Sequence, residues 1–163
     1  MHEPDPLVVE VGVGGLAVAE HPERLMTPAL GSCVGVALWD ERTCRGALGH
    51  VMLPSPAGQH ADPQSGRFAT FAVPRLVEML LEAGSERADL RAKLAGGAAM
   101  FRGTSGVANV GERNVAEVRR QLMRCDVTLI AEDTGGSHAR TVELCLDSGL
   151  LIVRSYRLGT CEL

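Results

Sequence analysis

Rings and basic charge are what this chain has least of. Aromatic residues make up 3% of its 163 positions, too few for a base-stacking nucleic-acid platform. Ala, Val, Leu and Gly carry the apolar load instead, which predicts a core of close backbone approach and many small contacts. Sixteen Lys and Arg stand against twenty Asp and Glu, a net charge of −4, so no basic footprint invites a phosphate backbone and no nucleic-acid partner is expected. No apolar run is long enough to span a bilayer, and residues 1–6 hold two prolines rather than a basic stretch followed by an apolar one. A cytoplasmic chain without membrane insertion is the expectation. Five cysteines are an odd number for a closed disulfide framework, and a chain of this length needs none; all five are read as thiols. No repeat of fixed period occurs. The glycine-rich stretches 96–101 and 133–136 lack the Gly-Lys-Ser/Thr ending of a phosphate loop and the G-x-G-x-x-G spacing, so no cofactor is expected.

What is present is 45% apolar and 22% charged residues, the composition of an ordinary soluble domain. A single domain over residues 1–163 is expected, with loose ends at 1–6 and 156–163. The Val-rich stretch 7–13 reads as a strand, continued by 16–19 after a glycine break. His21-Pro22 ends that unit, and 24–26 is a short connector or edge strand. Two near-continuous apolar runs, 33–39 (CVGVALW) and 46–53 (GALGHVML), flank a polar break and predict an antiparallel hairpin. Residues 55–66 form a Pro/Gly/Ser/Asp-rich loop, long enough to serve as a lid or binding loop. Helices are predicted over 69–83, where Pro74 disturbs the first turns, and over 110–124, with Val115, Val118, Leu122 and Met123 on one face. A strand at 90–94 runs into Gly96-Gly97, a small-residue loop follows at 98–106, and strands at 127–132, 140–146 and 150–155 close the chain. Roughly seven strands and two helices without strict alternation predict an α+β fold: a mixed-sheet β-sandwich core with helices on its outer faces.

The chemistry gathers in residues 27–54. Cys33 follows Leu-Gly-Ser at a turn, where backbone N–H groups around Gly31 and Ser32 are free to serve as an oxyanion site. His50 is the one histidine embedded in an apolar strand run. Hairpin geometry brings the start of the first strand beside the end of the second, so Cys33 and His50 are a candidate nucleophile–base pair; the plainer reading is a buried core thiol and a satisfied core imidazole. Thr27 is a candidate third group that fixes the imidazole tautomer, though taken alone it reads as a turn or N-cap residue. Ser32 is a rival nucleophile, weaker than the thiol beside it. Cys33, Cys44 and His50 as three zinc ligands match no compact spacing, so no metal is expected. Cys125, Cys145 and Cys161 read as core or incidental thiols, and His2, His21, His60 and His138 as solvated.

Five blocks in order, LGSCVGVALWD, GHVMLP, KLAGGAAMF, VGERNV and AEDTGGSHAR, resemble the CheD family of chemoreceptor glutamine deamidases. The resemblance covers about residues 8–153. It implies a β-sandwich flanked by helices, similar to a toxin deamidase, and places the family's catalytic cysteine, histidine and threonine at Cys33, His50 and Thr27. Pro28, next to the threonine, and Pro74 depart from the family pattern. The implied reaction is attack by the Cys33 thiolate on a receptor glutamine, a thioester, and hydrolysis to glutamate with loss of ammonia. Implied partners are the cytoplasmic helices of chemotaxis receptors as substrate and a CheC-type phosphatase as regulator, with recruitment to receptor arrays and a monomer when free. The alternative is a regulatory protein that acts mainly by binding that phosphatase.

Overall fold

Two five-stranded sheets lie face to face, and two helices cover the far side of one of them. The computed structural model describes residues 5–58, 60–100 and 109–163. The helix-covered sheet has the order β2-β5-β4-β6-β7 and the other β1-β3-β8-β9-β10, built from β1 (Val8–Glu10), β2 (Leu16–Glu20), β3 (Arg24–Leu30), β4 (Val34–Asp40), β5 (Arg45–Val51), β6 (Leu90–Gly96), β7 (Thr128–Thr134), β8 (Arg140–Cys145), β9 (Leu151–Ser155) and β10 (Gly159–Glu162). Both sheets are mixed: β1 and β3 pair in parallel, as do β6 and β7, and the other ladders are antiparallel. The α+β class holds. The helices α1 (Ala69–Glu82) and α2 (Val110–Arg124) differ from expectation in sharing one face rather than covering two.

Period-two alternation explains the layering. On β4, Val34, Val36 and Leu38 face the helices, meeting Leu76, Leu80, Val118 and Leu122 in one buried cluster. Ala37, between them, faces the second sheet and joins Leu25, Val142, Leu144 and Leu151. Small residues let the sheets approach: a Cβ on Gly46 would meet Leu146 Cδ2 at 2.5 Å, and one on Gly35 would meet Leu30 Cδ1 at 3.0 Å. This is the packing that a ring-poor, Gly- and Ala-rich chain needs, with each fully buried Leu contributing about 1.5–3 kcal/mol.

Several expectations shift. The stretch 24–26, read as a connector or edge strand, is part of β3, an interior strand between β1 and β8. The 156–163 tail contains β10, whose register with β9 runs from Gly159↔Ser155 to Glu162↔Ile152. Helix α1 starts at Ala69, as the apolar pattern predicts, with Pro74 inside it. Met123 is 77% exposed, and the buried face of α2 is Gly111, Asn114, Val115, Val118, Gln121 and Leu122. Asn109 caps that helix by accepting from the Glu112 N–H. The residues of the 98–106 loop from 101 onward, His2, and the first part of the N-terminal tail lie outside the described residues.

Candidate active site

Hairpin β4–β5 forms as its sequence predicts, with a ladder from Val34↔Val51 to Asp40↔Arg45. Gly35 stands opposite His50. The His50 backbone turns away to β2, its N–H bonding Gly15 O and its C=O accepting from Gly14 N. The Gly35–His50 pair is therefore the non-hydrogen-bonded kind, in which facing residues approach most closely. Glycine puts no side chain there. Cys33 precedes Gly35 by two residues and packs against the cluster between the sheets, so it is the diagonal neighbour of His50 on the same face. Cys44 sits at the closed end of the hairpin, next to the Asp40↔Arg45 pair, and does not join them.

His50 is fully buried, and so is Thr27, which reaches it from β3 in the opposite sheet. Thr27 Oγ1 lies 2.7 Å from His50 Nδ1 and 2.6 Å from Val11 O. A carbonyl oxygen only accepts, so the single hydroxyl hydrogen of Thr27 goes to Val11. Thr27 Oγ1 must then accept from an Nδ1–H, which leaves Nε2 with its lone pair bare. Among the described residues Nε2 has no hydrogen-bond partner. A buried imidazole with one nitrogen committed and the other free is arranged as a base.

Burial sets the charge state. It pushes the Cys33 thiol up from its ordinary value and the His50 imidazole down, because removal from water disfavours thiolate and imidazolium alike. Both shifts favour the neutral forms, thiol and imidazole.

Glycines and two unforeseen polar residues hold the surrounding rim. Gly96 has φ +112, and a Cβ there would meet Cys33 O at 2.3 Å, so only glycine fits beneath the cysteine. Gly97 N–H donates to Cys33 O and Ala98 N–H to Gly31 O, tying the end of β6 to the Gly31–Cys33 turn. Gly111 lets α2 lie against Gly97 and Ala98, where a Cβ would meet their backbone at 2.5 Å. From there the fully buried Asn114 donates from Nδ2 to both Ser32 O and Met52 O, at 2.9 Å each. Buried Arg140 donates to Gly135 O at 2.9 Å and to Asp133 Oδ2 at 3.1 Å, joining the start of β8 to the glycine turn after β7. The signal for Asn114 was in the sequence: a polar residue in the apolar stripe of an amphipathic helix. Arg140 opens an apolar strand, and nothing local marks it as buried. The loop 55–66 leaves from beside the site and returns at Arg67, whose carbonyl accepts from both Met52 and Leu53.

Residues 52–155 match the family described as CheD chemotactic sensory transduction. The chain is 40% identical over 162 residues to the chemoreceptor glutamine deamidase CheD of Bacillus velezensis, with 98% of each covered. It is 38% identical over 162 residues to the protein of that name from Bacillus subtilis, again with 98% of each covered. The crystal structure of the Bacillus licheniformis hypothetical protein YfiH aligns at 14% identity over 73% of this chain and 49% of its own, with a TM-score of 0.47, too distant to bear on function. Relatives at this identity over almost their whole length leave one assignment: the chain belongs to the CheD family.

Proposed function

We propose that this chain is a chemoreceptor glutamine deamidase, converting specific glutamines in the cytoplasmic helices of chemotaxis receptors to glutamate with release of ammonia. The full-length relatives carry that activity in their names. The observation that carries the mechanism is the Thr27 hydroxyl, whose commitment to Val11 O leaves His50 Nε2 as the free base on the face of Cys33.

The steps start from the neutral thiol and imidazole. As Cys33 Sγ attacks the carboxamide carbon, His50 Nε2 takes the thiol proton, and the N–H groups of the Gly31–Cys33 turn face the developing oxyanion. The imidazolium then donates its Nε2 proton to the carboxamide nitrogen; the C–N bond breaks, ammonia leaves and a thioester remains. His50 Nε2 next removes a proton from water as the oxygen attacks the thioester carbon. The C–S bond breaks and the proton returns to sulfur. Throughout, Thr27 Oγ1 accepts from Nδ1–H, a bond that strengthens when the ring is charged. The product is one new carboxylate on a receptor helix.

The same reading makes a CheC-type phosphatase the regulator of a single-domain enzyme that is monomeric when free and recruited to receptor arrays, its sandwich of the toxin-deamidase type. Incubation with a purified receptor cytoplasmic fragment tests the activity. Ammonia should be released by the wild type and not by Cys33→Ala. Release that persists in Cys33→Ala, or none from any chemoreceptor of the source organism, would contradict the proposal.

A further inference from the structure

The Asn114 carboxamide bonds two carbonyl oxygens at once. Because both partners only accept, its Nδ2 must face them and each of its two hydrogens is committed. One of these carbonyls belongs to Ser32, directly before the candidate nucleophile. The Ser32–Cys33 peptide is trans, since the described chain has its one cis bond at His21-Pro22. In a planar trans peptide the N–H points opposite to the C=O. A Ser32 carbonyl held toward α2 therefore turns the Cys33 N–H away from α2. That leaves the Cys33 N–H on the far side of the peptide from the Asn114 clamp, while Gly97 N–H holds the Cys33 C=O from the end of β6. Among the described residues the Cys33 N–H has no backbone acceptor outside the regular ladders.

We infer that Asn114 is a positioning residue for the deamidation: it holds the Ser32–Cys33 peptide so that the Cys33 N–H is aimed at the oxyanion. This rests on the function proposed above. Nucleophile and base have anchors besides Asn114: Cys33 O accepts from Gly97 N–H, and His50 is held by the β4–β5 ladder and by Thr27. The helix can supply the clamp because Gly111 admits it against Gly97 and Ala98, one turn before Asn114.

The test separates the two functions of the turn. In Asn114→Ala, kcat for receptor-fragment deamidation is expected to fall about tenfold to a hundredfold, with KM within about threefold of wild type. The rate and pH profile of Cys33 alkylation by iodoacetamide, which builds no oxyanion, should stay within about threefold. Rates are taken per alkylatable Cys33, so unfolded material does not count. If the Ala variant does not fold, Asn114→Ser is read by the same ratio. An unchanged kcat would overturn the inference, and so would an alkylation rate that falls as far as kcat. Wild-type turnover, measured alongside, tests the deamidase reading separately.

Discussion

Thr27 and His50 meet across the two sheets, Oγ1 to Nδ1 at 2.7 Å, with the Thr27 proton already given to Val11 O. One hydroxyl on β3 therefore decides which nitrogen of an imidazole on β5 is the base. Thr27→Val keeps the side-chain shape and removes the hydroxyl, leaving Nδ1–H and Val11 O unpaired in a buried site. That should cost about 1–3 kcal/mol of stability and lower kcat about tenfold to a hundredfold. Thr27→Ser should recover most of both. Melting curves and ammonia release check this; a Val variant as active as the Ser variant would remove Thr27 from the mechanism.

The pH dependence follows from burial. His50 must be neutral to accept the thiol proton, and burial lowers its pKa from the ordinary 6.5. The acid limb of kcat/KM should therefore have its midpoint below 6.5. Stability has the same sign. The unfolded chain binds this proton more readily than the folded one, so stability is full above the unfolded pKa and declines as pH falls through the window below it. His50→Gln should flatten that decline. An acid limb centred above 6.5 would mean the imidazole is not held neutral by burial.

Gly96 offers a prediction about geometry. Gly96→Ala places a Cβ 2.3 Å from the Cys33 carbonyl at φ +112, combining a left-handed backbone with a collision beneath the nucleophile. Gly135 also has positive φ (+84), but a Cβ there meets nothing within 4 Å. Gly135→Ala should cost about 1–2 kcal/mol, the strain alone, and leave activity per folded molecule near wild type. Gly96→Ala should cost more and also slow deamidation. Equal behaviour of the two variants would show that the contact under Cys33 does not matter.

The hairpin bearing Cys33 and His50 was legible because its two strands are local, apolar and separated by a short polar break. The strand bearing Thr27 was not. Its partner β8 lies over a hundred residues away, with Thr27 opposite Val142, and Pro28 interrupts the local pattern while β3 carries a register shift between Thr27 and Leu30. Pairing across such a separation leaves no periodic trace nearby. The same holds for β10, which is exposed throughout and is a strand only because β9 offers it an edge. Met123 follows Leu122 by one residue, about 100° around the helix, which turns it off the buried stripe. Asn114 was readable as a polar intruder on that stripe, but its two acceptors belong to Ser32 and Met52, which folding alone brings to it.

The most direct test of the central claim is peptide-resolved mass spectrometry of a receptor cytoplasmic fragment after incubation with the wild type, Cys33→Ala and His50→Ala. Hydrolysis of a carboxamide to a carboxylate adds about one dalton at the glutamine converted. The gain is expected at specific glutamines with the wild type and is expected to be lost in both variants. An undiminished gain with Cys33→Ala, or none with the wild type, would contradict the central claim.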